Sequence, residues 1–164
     1  MDKKIKSLSQ NLVSTLVSKS LTIATAESLT GGLVSAAITS VPGASMIFGL
    51  GLCTYWEQMK EDFFHLEREI QNAKTAVARE VAIGMADGVR KLAGSTFGLA
   101  TTGLAGPTDD GINPVGTVYI SVAWETGCRV SKLELGNIGR EKICNETVIR
   151  VLEMTIEEVK RLKN

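Results

Sequence analysis

The sequence predicts an α/β fold, a three-layer α/β/α sandwich with a mixed, mostly parallel sheet of about five strands. Two observations carry this. Apolar residues recur at three- and four-residue steps over Ile5 to Val17, Thr75 to Leu92 and Arg140 to Leu162, which is the period of amphipathic helices. Between them lie short strand-like runs at Leu21 to Ala26, Met46 to Thr54, Thr96 to Thr102, Gly116 to Trp124 and Cys128 to Leu135. The first two runs alternate with helices, which implies parallel crossovers, and the last three follow one another directly, which implies adjacent strands. At 164 residues the chain suits one domain, residues 1–164.

In chain order, Ile5, Leu8, Leu12, Val13, Leu16 and Val17 mark the buried face of the first helix. Glu27-Ser28-Leu29-Thr30-Gly31-Gly32 breaks the strand that follows, and a short helix runs from about Gly31 to Ser40. Pro42-Gly43 turns the chain into the second strand, where Gly49 and Gly51 point to bulging or to close approach of another backbone. A short helix is expected over Tyr55 to Leu66. In the longer one after it, Val77, Val81, Met85 and Val89 repeat every four residues up to a stop near Gly94. Cys128 to Leu135 alternates less cleanly, as an edge strand does. Val148, Leu152, Ile156 and Val159 line the last helix.

Charge and composition exclude several classes of function. Eighteen basic and eighteen acidic residues cancel, and there is no Lys/Arg-rich run, so nothing draws the chain to nucleic acid or to an anionic membrane. No apolar run reaches the length of a signal sequence or a membrane span, which makes a cytoplasmic location the expectation. Three scattered cysteines, Cys53, Cys128 and Cys144, fit neither a disulfide framework nor a zinc site, and His65 is the only histidine. Asp109 and Asp110, in a glycine-flanked turn, read as solvated rather than as cation ligands. No metal and no cofactor are expected, and a homo-oligomer stays open.

The Walker, dinucleotide, GxSxG and HExxH motifs are absent. A serine nucleophile without a histidine needs a lysine as its base, and Lys60 lies fifteen residues after Ser45, a path that can return it towards the serine. An ordinary lysine is almost fully protonated at neutral pH, so this chemistry demands a desolvated amine. Tyr55 could relay a proton or merely cap the strand. The turn Ser28 to Gly32 has two readings: free backbone N–H groups for a phosphate or carboxylate, or a capped helix with a tight entry.

Taken together, Ala26-Glu27-Ser28-Leu29-Thr30-Gly31-Gly32, Val41-Pro42-Gly43-Ala44-Ser45, then Tyr55 and Lys60, then Thr102-Gly103-Leu104-Ala105-Gly106-Pro107 and Asn113-Pro114-Val115-Gly116-Thr117-Val118 closely resemble the CinA C-terminal domain family. Its characterised members are nicotinamide mononucleotide deamidases. The order and gaps match over roughly Leu21 to Arg140, and the resemblance is to the stand-alone form. It implies an amidohydrolase acting on a small nucleotide, with Ser45 as nucleophile, Lys60 as its base and Tyr55 assisting. It further implies that Ser28 and Arg140 place the substrate. Thr30, Gly31 and Thr102 join them as expected substrate contacts, and backbone N–H groups around Gly43 to Met46 are the expected oxyanion hole.

The chain departs from the family pattern at Trp56-Glu57, where Ser-Asn is usual, at Leu29, at Ala78 in place of a serine, and at Cys144 in place of an arginine. None of these is the expected nucleophile or base. The alternative, which Trp56-Glu57 favours, is a catalytically weak or inactive nucleotide-binding or interaction module of the same fold.

Overall fold

The computed structural model describes residues 2–162. Its elements are α1 (Lys3–Lys19), β1 (Ile23–Glu27), α2 (Leu33–Thr39), β2 (Phe48–Cys53), α3 (Glu57–Phe64), α4 (Glu67–Ala73), α5 (Arg79–Ala93), β3 (Phe97–Gly103), β4 (Thr117–Trp124), β5 (Gly127–Glu134) and α6 (Arg140–Arg161). A 3₁₀ turn, Ala44–Met46, leads into β2. The five strands form one mixed sheet in the order β2-β1-β3-β4-β5. β1 is parallel to both β2 and β3, and only β4 opposes the rest.

The period-two alternation of the strands sorts the two faces. Ile23, Phe97, Leu99, Val118, Ile120 and Val122 point into a core with α1, α2 and α6. On the other face the sheet presents Ala24, Ala26, Ala100 and Ala123 to α5, with Phe64, Leu66 and Ile70 of α3 and α4 completing that layer. Small residues on this face let α5 lie close. A Cβ on Gly98 would come within 2.0 Å of the Ala86 carbonyl, so the strand has a glycine where the helix backbone crosses it.

Two segments differ from the sequence expectation. The long helix begins at Arg79 rather than Thr75, because the Thr75 hydroxyl accepts a hydrogen bond from the Val77 N–H (3.0 Å) and holds 75–78 as a bend. Helix α4 was not anticipated. It is mostly polar, buries only Ile70, and is bounded by His65 and Lys74 in the left-handed region (both φ 56°), so no apolar stripe announces it.

Candidate active site

The C-terminal ends of β1 and β3 and the strand-to-helix connection after β2 open on a cleft of about 280 Å³, where an open α/β sheet binds its ligands. Ser28, Tyr55, Lys60, Thr102 and Arg140 line it, together with Glu57, Asp109 and the loop Gly103 to Gly106.

Lys60 is the centre of this cleft. It is 1% exposed and the largest fully buried side chain among the described residues. One turn into α3, it reaches back so that Nζ donates to the Thr54 carbonyl (2.6 Å), the Ser28 hydroxyl (3.2 Å) and the Tyr55 carbonyl (3.5 Å). Among the described residues it makes no ion pair. Burial of the ammonium therefore pulls its pKa down from 10.5 to about 8, with Glu57 and Cys53 opposing the shift weakly. This is the range a lysine needs to act as a base near neutral pH.

At the opposite wall, Arg140 starts α6. Its guanidinium donates to the Tyr55 hydroxyl (3.3 Å) and to the Gly106 carbonyl, both neutral acceptors, and it has no carboxylate partner among the described residues. The cleft thus holds the Arg140 guanidinium beside an amine whose pKa burial has lowered. Thr102 donates to the Ala76 carbonyl (2.8 Å), which ties the β3 end to the bend before α5.

Three of the expected groups lie apart from this cleft. The turn Thr30-Gly31 is no anion cradle, because the buried Glu27 carboxylate occupies its donors. It accepts from the N–H groups of Gly32 (3.0 Å), Val34 (3.0 Å) and Ser35 (2.8 Å) and from the hydroxyls of Ser35 (2.6 Å) and Thr30 (2.7 Å). Neither Thr30 nor Gly31 lines the cleft. The capped-helix reading of this turn is the one found.

Second, Ser45 is not brought to Lys60 within the chain. It is exposed in the 3₁₀ turn before β2 and lines a separate depression with Thr39, Val41, Gly43, Ala44 and Phe48. The six residues of β2 lie between the two groups, about 20 Å at a strand's rise of about 3.3 Å per residue. Third, the expected oxyanion hole has lost two donors, since the Ala44 and Met46 N–H groups bond to the Val41 and Gly43 carbonyls (both 3.1 Å).

Other residues matter that sequence reading passed over. Glu27 organises the helix entry, and its place at a strand end before a Gly-Gly turn was the available signal. Asp110 clasps the loop over the cleft. Burial would raise its pKa, but hydrogen bonds from the Thr75 hydroxyl (2.5 Å), from the Asn113 and Ile112 N–H groups (2.6 and 3.0 Å) and from the Asn113 amide (3.2 Å) outweigh that and hold it at about 2. These donors fill its oxygens, and no group of three or more metal-ligating side chains exists among the described residues. His65 lies outside the cleft, at the end of α3.

A family model, described as the CinA C-terminal domain, matches residues 5–159. A "Putative competence-damage inducible protein" of Acetivibrio thermocellus is 42% identical over 151 residues, covering 90% of this chain and 36% of that one. Another with the same name, from Desulforamulus reducens, is 46% identical over 112 residues, covering 68% and 27%. The chain thus spans about a third of the length of these curated relatives. Among solved structures, the competence/damage inducible protein CihA from Agrobacterium tumefaciens superposes with a TM-score of 0.91 at 32% identity, over 96% of each chain. A CinA superfamily protein from Klebsiella pneumoniae, 21% identical with a TM-score of 0.91 over 96% of this chain and 99% of that one, shares the fold. No helix among the described residues is long and apolar enough to cross a membrane. On the match of the family model over nearly its whole length, this chain belongs to the CinA C-terminal domain family.

Proposed function

We propose that the chain hydrolyses the carboxamide of nicotinamide mononucleotide to the carboxylate, releasing ammonia. The observation that carries this is Lys60, a buried amine with no ion pair among the described residues, in a polar cleft that also holds Arg140. Neutral Lys60 takes the proton of a serine hydroxyl as Oγ bonds to the amide carbon. The ammonium then returns the proton to nitrogen as the C–N bond breaks and ammonia leaves. Water attacks the acyl-serine next, giving its proton to Lys60, and the serine oxygen recovers a proton as it departs. Arg140 supplies the charge for the phosphate, and Tyr55, hydrogen-bonded to it, closes that side of the cleft.

The family resemblance assigns the nucleophile to Ser45. A second reading makes it Ser28, whose Oγ is 3.2 Å from Nζ. In the first reading Ser28 instead positions the lysine.

The test is to incubate the purified protein with nicotinamide mononucleotide and follow ammonia and nicotinate mononucleotide. The expected result is equimolar formation of both. Nicotinamide riboside, which lacks the phosphate, should be a poorer substrate through KM, and Arg140→Ala should raise KM for the nucleotide by about 10- to 100-fold, the worth of a charge-assisted contact. Release of nicotinamide instead of ammonia, or no turnover, would refute the reading. A fall in kcat at unchanged KM in Arg140→Ala would move that residue to the reacting group.

A further inference from the structure

We infer that Glu57 sets the polarity of the cleft: its negative charge reserves the Lys60 end for an uncharged amide and drives carboxylates and phosphates to the Arg140 end or out. This rests on the amidase reading above for the reacting group, and on the charges around the cleft for the rest.

Lys60 and Arg140 both line the cleft, so an anionic ligand meets two basic groups and has two ways to lie between them. An amidase can use only one. The amide carbon must reach the Lys60 end, and its acid product must leave that end although a protonated lysine attracts it. Glu57 lies where it governs both steps. It opens α3 three residues before Lys60, and side chains at this spacing share a helix face. Trp56 enters the helix with extended backbone (φ -81°, ψ 149°), and the Met59 N–H closes the first turn on the Trp56 carbonyl (3.1 Å). The start of α3 therefore fixes the carboxylate relative to the amine.

Glu57 is exposed, lines the cleft, and among the described residues has no salt-bridge partner. Its field reaches Lys60, where it opposes the effect of burial and favours the ammonium. The groups facing Lys60 are Glu57 on its own helix, Cys53 of β2 and Ser28 after β1, and Arg140 and Asp109 complete the charged lining of the cleft. Asp109 is partly committed to its own loop, since one of its oxygens accepts from the Gly111 N–H (3.0 Å). A carboxylate or phosphate arriving beside Lys60 thus arrives beside Glu57 as well. A carboxamide carries no charge and meets no such repulsion. At the other end, Arg140 donates to neutral oxygens and attracts an anion unopposed by any carboxylate bonded to it.

The test compares two nucleotides that differ only in a carboxamide against a carboxylate. For the wild type, Glu57→Gln and Glu57→Asp, KM is measured for nicotinamide mononucleotide and Ki for nicotinate mononucleotide as a product inhibitor. The ratio Ki/KM should fall about 3- to 10-fold in Glu57→Gln at low salt and by less at high salt, while Glu57→Asp, which keeps the charge, should hold most of the wild-type ratio. The rise of kcat/KM with pH should also move to lower pH in Glu57→Gln, because a neutral side chain no longer favours the ammonium form of Lys60. A merely structural side chain would move neither. If ammonia is formed but the ratio stays within about 1.5-fold or the pH profile does not move, the charge selection falls and the amidase reading stands. If no ammonia is formed the amidase reading falls, and calorimetric dissociation constants of the same two nucleotides replace Ki and KM. A ratio that still drops in Glu57→Gln upholds the selection, and an unchanged ratio, or binding of neither nucleotide, overturns it.

Discussion

Lys60 bears a cost that its neighbours only partly relieve. Its folded pKa of about 8 lies below the ordinary 10.5, so below pH 8 folded and unfolded chains both hold the proton and only the folded one suffers the desolvation. The gap corresponds to about 3 kcal/mol at neutral pH. Between pH 8 and 10.5 the unfolded chain binds a proton that the folded chain has shed, and stability from this group rises with pH until the penalty is gone. Lys60→Met should therefore be stabilised at pH 7 by about 2 kcal/mol in urea unfolding, the remainder being lost because the Thr54 carbonyl forfeits its donor. The advantage should fall from pH 8 to 10.5 and end as a deficit of about 1 kcal/mol, the lost hydrogen bond alone. A substitution that destabilises equally at every pH would mean that the amine contributes packing and carries no electrostatic penalty. A residue that stabilises the fold when removed is one retained for function.

At the scale of elements, the entry to α2 shows how a strand end and a helix start are joined. Glu27 is 1% exposed, and its carboxylate satisfies three backbone N–H groups and two hydroxyls at the positive end of a short helix. Glu27→Gln turns an acceptor-only group into one that points an NH₂ at donors. It should lower unfolding free energy by about 2–3 kcal/mol, measured by denaturant titration, and loosen Ser28 with it. A change below about 0.5 kcal/mol would show that the α2 entry does not depend on this network. The helices with apolar stripes, such as Val81, Met85 and Val89 in α5, were legible because burial repeats with their period. The Ser28 to Gly32 turn was ambiguous because its outcome depended on a side chain, Glu27, folding back over it. A sequence shows which backbone donors a turn exposes, but not which neighbour takes them.

For the molecule as a whole, strand direction decides how the site is assembled. The sheet edge that gathers Ser28, Lys60, Thr102 and Arg140 was legible, since Ser28 follows β1, Thr102 sits near the end of β3, Lys60 lies one turn into the helix after β2 and Arg140 opens α6. Ser45 was not legible as remote. Fifteen residues of separation allow a return path, but with β2 extended between them the chain is carried to the far end of the sheet. What does not depend on which serine reacts is the amine. The most direct measurement is therefore the pH dependence of kcat/KM for nicotinamide mononucleotide, with Lys60→Ala beside it. The account predicts a rate that climbs with one ionisation near pH 8 to a plateau, and a Lys60→Ala protein that is folded but at least about 1000-fold slower, as expected for loss of a general base. A profile flat from pH 6 to pH 9, or a folded Lys60→Ala protein within about tenfold of wild type, would contradict it.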